Sequence, residues 1–159
     1  MSLMVALFRR SDEAYFSYIY AIDPLVKRMA RRGSGVIVNV IGNGGKIASP
    51  THIPGGSANA ALMLATAGLA TAYAKSGVRI VAVNPGLTNT ERVSEGLKAE
   101  ARLHGTSEAE ALKRILALIP MGRMAEEIAN AVVFLASPKA SYITGVTLSM
   151  DGAAAPIVV

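Results

Sequence analysis

Residues 36–41 read Val36-Ile37-Val38-Asn39-Val40-Ile41. Every side chain but Asn39 is apolar and β-branched, with no alternation of polar and apolar positions. A strand with one wet face alternates; a strand covered on both faces of a parallel sheet does not. The run predicts a strand buried on both faces. Val78 to Asn84 repeats the pattern, and Pro85-Gly86 ends it. Val146-Thr147-Leu148-Ser149-Met150 predicts a third strand, and Asp151-Gly152 after it reads as a turn rather than a catalytic acid.

Helical stretches separate these strands. Ser11-Asp12-Glu13 has the composition of a helix start, and the helix is expected to run to Arg32, with Pro24 as its irregularity and Gly33 and Gly35 as its stop. Residues 42–56 are rich in glycine and proline and read as a loop. Ser57 to Lys75 reads as a helix ended by Ser76-Gly77. Two short amphipathic helices are expected near Val93–Leu103 and Ser107–Leu118. The second opens on the capping box Ser107-x-x-Glu110. A last helix is expected over Glu126–Ala136, closed by Pro138. Strands alternating with helices imply right-handed crossovers and a parallel sheet, hence an α/β fold. With no repeat or linker in view, residues 1–159 read as a single domain.

Composition supports this. Of the 159 residues, 52% are apolar and 17% charged, which excludes disorder and suits buried strands under closely packed helices. There is no cysteine, so disulfides and thiolate metal sites are excluded and a cytoplasmic setting is expected. The net charge of +5 invites a nucleic-acid reading, but the densest basic run, Lys27-Arg28-x-x-Arg31-Arg32, sits where a helix ends and offsets its dipole. No nucleic-acid partner is expected. Lys46 to Lys75 carries no formal charge between its ends, yet its first half is a loop and its second holds Asn59, Thr66, Thr71 and many alanines. That composition predicts a helix buried against protein rather than a membrane span.

The familiar catalytic patterns fail. Gly42-Asn43-Gly44-Gly45-Lys46 follows a strand, but Val40 and Ile47 stand where a phosphate-binding loop needs glycine and Ser or Thr. A dinucleotide fingerprint would need a third glycine at Ile47 and a helix opening at once. His52 and His104 are far apart, and no metal-ligand spacing occurs.

Four segments in order carry a resemblance. They are Gly35 to Val40; Asn59-Ala60-Ala61-Leu62 with Ala70-x-x-x-Ala74-x-x-Gly77-Val78-Arg79-Ile80 and Ala82-Val83-Asn84-Pro85-Gly86; Pro120-Met121-Gly122-Arg123 with Glu126-Glu127-Ile128-Ala129 and Phe134-Leu135-Ala136-Ser137; and Ser141-Tyr142-Ile143-Thr144-Gly145 with Asp151-Gly152. From about Asp12 to Gly152 the chain resembles the C-terminal half of the short-chain dehydrogenases/reductases. The Gly122–Glu126 stretch is slightly shorter than in the family.

The resemblance implies a partial Rossmann-like doubly wound sheet of three strands, without the family's N-terminal nucleotide-binding half. It implies NAD or NADP as cofactor and hydride transfer at a carbonyl or alcohol carbon. The family uses a tyrosine as acid/base, a lysine four residues later to lower its pKa, and a serine to polarise the carbonyl. Here Gly55, Asn59 and Gly42 stand at those positions, so no catalytic residue is assigned and activity is expected to be lost or impaired. His52 or Ser57 would reach the site only through a shifted gap.

Pro85, Gly86, Thr88 and Thr90 match the segment that contacts the nicotinamide end in the family. Equally, Pro85-Gly86 ends a strand and Thr90 caps the next helix. Residues 91–120 correspond to a substrate lid, with Val93, Leu97, Leu112, Ile115 and Leu116 as its apolar lining. Helices 12–32 and 57–75 correspond to the family's dimer-making pair, so a homo-oligomer is expected. The alternatives are a non-catalytic binding or scaffold protein, or a fragment of a longer oxidoreductase.

Overall fold

The computed structural model describes residues 3–47, 52–122, 124–155 and 157; side chains are described from residue 12 onward, apart from those of residues 92, 95 and 99. The chain runs α1 (Leu3–Arg32), β1 (Gly35–Val40), α2 (Ile53–Tyr73), β2 (Val78–Pro85), α3 (Glu91–His104), α4 (Glu108–Ala117), α5 (Ile128–Ala136) and β3 (Thr147–Met150). Short 3-10 turns lie at Asn43–Gly45, Ala74–Ser76 and Pro138–Ala140. No helix among the described residues is long and apolar enough to cross a membrane.

The sheet has three strands in the order β1-β2-β3, both pairs parallel. Gly35 stands opposite Val78 and Val40 opposite Val83; Ala82 faces Thr147 and Pro85 faces Met150. The two apolar runs therefore lie side by side as the sequence predicts. β2 is central, and its residues alternate between two cores. Val78 and Ile80 pack on Ile22 and Val26 of α1 and Ala70 of α2, while Ala82 meets Leu62 and Ile41. Val81 and Val83 face the other way, onto Leu135 of α5 and Ala140. Each such side chain contributes about 1.5–3 kcal/mol by leaving water, so β2 carries much of the fold.

Several boundaries differ from the sequence reading. β1 packs on both faces, Ile37 toward α1 and α2 and Val38 toward α5, but less completely than expected: Val36, Ile37 and Val38 are half-buried and Val40 is 43% exposed, because β1 is the outer strand of this sheet. α1 already runs from Leu3, so Ser11-Asp12-Glu13 lies inside it rather than at its start, and it passes through Pro24. α2 opens at Ile53, not Ser57. Pro54 sits in its first turn, where a missing N–H costs nothing. α5 opens at Ile128 rather than Glu126. Residues 48–51 of the expected loop and Arg123 of the Pro120–Arg123 motif lie outside the described residues.

Polar detail fixes the ends. Gly77 has φ +71° and follows α2; a Cβ there would strike the carbonyl oxygen of Gly33, itself at φ +74° after α1. The two helix-ending glycines touch, which is why each crossover returns tightly to the sheet. The Arg79 guanidinium donates to the carbonyls of Leu135, Ser137 and Ile143 at 2.9–3.2 Å, closing the C-terminus of α5 onto β2. The predicted capping box of α4 is present in both directions.

Candidate functional site

The C-terminal ends of parallel strands leave backbone groups and loops free to build a site, and the carboxyl edge of the sheet is where open α/β folds place ligands. In this chain three loops meet there. After β1, the Ile41 amide donates to the Val83 carbonyl at 2.9 Å and the chain turns through Gly42 into the Asn43–Gly45 turn. After β2 comes Pro85-Gly86-Leu87-Thr88. After β3 comes Asp151-Gly152, where the Asp151 carboxylate accepts from the amides of Ala153 and Ala155 at 3.1 and 3.2 Å. Asp151 thus makes the turn that its sequence predicts.

Gly86 joins the last two loops. Its amide donates to the Met150 carbonyl at 3.1 Å, and a Cβ on it would lie 2.9 Å from Asp151 Cα and 3.5 Å from Asn43 Nδ2. The Thr88 hydroxyl donates to the Gly86 carbonyl at 3.2 Å, and Thr88 bridges in parallel to Ala125. Pro85, Gly86 and Thr88 are therefore together at this edge. Thr90 stands apart from them at the N-cap position of α3, where its side chain makes no capping hydrogen bond.

Beyond β2 and β3 lies a cavity of about 450 Å³, lined by Leu87, Ile119, Met121, Met124 and Met150 among others, with Ser149 and Asp151 as polar members. None of Val93, Leu97, Leu112, Ile115 and Leu116 lines it; among the described residues of the 91–120 segment, Ile119 does. α3 and α4 pack on each other instead. Lys46, which follows the Asn43–Gly45 turn, donates from its Nζ to Ser149 Oγ at 2.8 Å across the sheet edge. No local sequence signal links two residues so far apart.

On the other side of the turn, Gly42, Gly55 and Asn59 converge. A Cβ on Gly42 would lie 3.2 Å from Asn59 Nδ2. A Cβ on Gly55 would run into the His52 imidazole, 2.5 Å from Nε2. A Cβ on Gly44 would lie 2.8 Å from His52 Cδ2, and one on Gly56 only 2.7 Å from the Gly44 carbonyl oxygen. The first turn of α2 and the Asn43–Gly45 turn thus pack backbone to backbone. That contact holds Gly55 and Gly56 helical despite their poor helix propensity, and it explains why α2 begins earlier than its composition suggests.

The sequence profile of a family described as enoyl-(acyl carrier protein) reductase matches residues 11–153. An uncharacterised short-chain type dehydrogenase/reductase of Sinorhizobium fredii is 41% identical over 135 residues, 84% of this chain and 23% of its own length. The chain belongs to the short-chain dehydrogenase/reductase family. The NADPH-dependent reductase BacG of Bacillus subtilis is 32% identical over 94% of this chain and 57% of its own. The crystal structure of YwfH, an NADPH-dependent reductase involved in bacilysin biosynthesis, superposes with a TM-score of 0.83 at 30% identity, over 90% of this chain and 56% of that one. The chain spans about half the length of most short-chain dehydrogenases/reductases that it matches, for example 49% and 52%. Of the three positions that the resemblance matched to the family's serine, tyrosine and lysine, Gly42 lies against Asn59, and Gly55, four residues before Asn59 on α2, lies against His52.

Proposed function

We propose that this chain is the nicotinamide- and substrate-facing half of an NAD(P)-dependent oxidoreductase acting on a carbonyl or alcohol, with the family's proton relay lost. The observation that carries this reading is the convergence of Gly42, Gly55 and Asn59 in one niche. Glycine has no proton to give, and an asparagine amide carries no charge with which to lower a neighbour's pKa. Turnover by the usual route is therefore absent or strongly impaired.

The residues at the sheet edge fit the nicotinamide end of the cofactor. The absence of a side chain at Gly86 keeps the backbone open between Asn43 and Asp151, where a Cβ would close it. The apolar cavity beside Leu87 suits a flat ring. Pro85, Gly86 and Thr88 would hold the ring through backbone groups and the Thr88 hydroxyl; Thr90, apart from them at the start of α3, is matched to this role by the family resemblance alone. When bound, the cofactor supplies a hydride; these residues bind and orient its ring and exclude water from it. The stretch after β1 offers no helix opening at once on a glycine-rich turn, so these residues make no cradle for the pyrophosphate.

The same reading makes the protein a cytoplasmic homo-oligomer joined through α1 and α2. Phe16, Tyr20 and Leu64 support it, since all three are exposed on those helices, with Phe16 and Tyr20 stacked at 5.9 Å. Light scattering behind size exclusion tests it; a stable monomer overturns it.

The cofactor claim is tested by titrating NADH and NADPH against cofactor fluorescence. Binding tighter than about millimolar, worth about 4 kcal/mol, supports it. No binding at millimolar cofactor overturns it. Steady oxidation of NADPH by a carbonyl compound would overturn the claim of a lost relay.

A further inference from the structure

Lys46 and Ser149 lie 103 residues apart in sequence, and Lys46 Nζ stands 2.8 Å from Ser149 Oγ. Ser149 is in register with Asn84 of the central strand and lines the cavity of about 450 Å³. Lys46 follows the turn after β1, so its side chain crosses the end of β2 to reach β3. An ammonium has three N–H donors, and the bond to Ser149 uses one of them. No carboxylate among the described residues pairs with Lys46; those in ion pairs are Asp23, with Lys27, and Glu100, with His104. The carboxylates that line the cavity have other donors. Asp151 accepts from the amides of Ala153 and Ala155, one on each oxygen, and Glu127 accepts from the amide of Glu126 at 3.1 Å. Ser149 accepts from Lys46 and keeps its own O–H to donate. At the cavity rim there is thus an ammonium held by a neutral hydroxyl, with no anion in contact with it.

The rest of the lining is mainly apolar: Leu87, Ile119 and the methionines Met121, Met124 and Met150. Methionine chains are unbranched and shape themselves to what they touch. An apolar cavity of about 150 Å³ is enough for benzene, so this one has room for a ring besides that of a nicotinamide. We propose that Lys46 and Ser149 bind the carboxylate of a small apolar acid whose body fills the methionine-lined cavity. The ammonium supplies the opposite charge and the serine hydroxyl a second donor, and hydrogen bonds to an ionised acceptor are about twice as strong as those to a neutral one. The site shares no residue with the Gly42, Gly55 and Asn59 niche and does not rest on the cofactor reading.

The test uses the whole chain with benzoate as the probe and benzamide, of the same shape without the charge, as its control; no nicotinamide is present. Affinities come from calorimetry, and the methyl resonances of Met121 and Met150 report where the ring lies. Saturable benzoate binding is expected, at least about tenfold tighter than that of benzamide, with both methyl groups shifting. K46Q should weaken benzoate about tenfold and leave benzamide unchanged, S149A should weaken benzoate less, and K46R should restore it. Circular dichroism of each variant checks the fold, and the comparison of benzoate with benzamide on the wild-type chain needs no variant. Equal binding of the two probes, unmoved methionine methyls, or equal benzoate affinity in wild type and K46Q overturns the proposal. Failure of benzoate to bind leaves the NADPH titration as it stands, and failure of NADPH to bind leaves this site intact.

Discussion

Asn84 donates its side-chain amide to the carbonyl oxygen of Ile41 at 2.6 Å, tying the end of β2 to the residue that leads out of β1. Asn84 is fully buried, and its Oδ1 has no partner among the described residues. The bond sets the start of the Gly42 turn, so the niche and the Pro85-Gly86 loop share one anchor. Asn84→Asp removes the donor and places a carboxylate against a carbonyl oxygen. At neutral pH it should cost about 3 kcal/mol or more. Burial and the facing carbonyl raise the folded pKa of such a carboxyl above its unfolded value. The stability it retains is therefore present at low pH, where the acid can donate to Ile41, and is lost as pH rises through the folded pKa. Urea denaturation of N84D at acidic and neutral pH checks the size and the sign.

Asn39 of β1 donates to Thr66 Oγ1 of α2 at 3.0 Å, and Thr66 donates on to the Leu62 carbonyl at 2.8 Å. Both residues are buried. Thr66→Val keeps the shape and leaves the Asn39 amide without its acceptor, so a loss of about 1–3 kcal/mol is expected. Adding Asn39→Leu removes the stranded amide and should recover part of that loss. A double-mutant cycle by chemical denaturation measures the coupling; additive losses would mean the pair does not act as a unit.

How far the sequence carried the fold follows from the physics of each element. β2 was legible because a central strand shows its burial as an unbroken apolar run, and Val78 to Asn84 does so. At β1 the same rule found the two packed faces but overstated their burial, because the strand lies at the edge of this sheet. The α4 start was legible because its cap is local: Ser107 and Glu110 are three residues apart. The α2 start was not, because Gly55 and Gly56 are held helical by a turn ten residues upstream. At the site, the family resemblance singled out Gly42, Gly55 and Asn59, but the seating of His52 on Gly44 and Gly55 had no signal in the sequence. The contact of Lys46 with Ser149 and the methionine-lined cavity depend wholly on tertiary packing.

The capping box gives a pH-dependent prediction. The amide and hydroxyl of Ser107 both donate to Glu110 Oε2 at 2.9 Å and hold its carboxyl below the usual carboxylate range. A folded pKa below the unfolded one means stability that is present above the unfolded value and lost as pH falls through the folded value. Glu110→Gln should therefore flatten the acid side of the stability profile of the α3–α4 region. Ser107→Ala should cost about 1 kcal/mol at neutral pH. Hydrogen exchange of the first-turn amides of α4, read at neutral and acidic pH, checks both.

The glycines of α2 separate two kinds of crowding. At Gly56 a new Cβ would meet the carbonyl oxygen of Gly44 at 2.7 Å, and backbone cannot swing aside. Gly56→Ala gains about 1 kcal/mol of helix propensity. It must nonetheless part the turn from the helix, for an expected net loss of about 1–3 kcal/mol. At Gly55 the obstacle is the imidazole of exposed His52, which can rotate into solvent. Gly55→Ala should change stability by no more than about 1 kcal/mol, since the propensity gain offsets the displaced ring. Thermal melts of the two variants should therefore differ clearly, with the His52 ring resonances moving in the milder one. Equal melts would mean that the turn yields as easily as the side chain, and that the close backbone contact beneath the niche is not rigid.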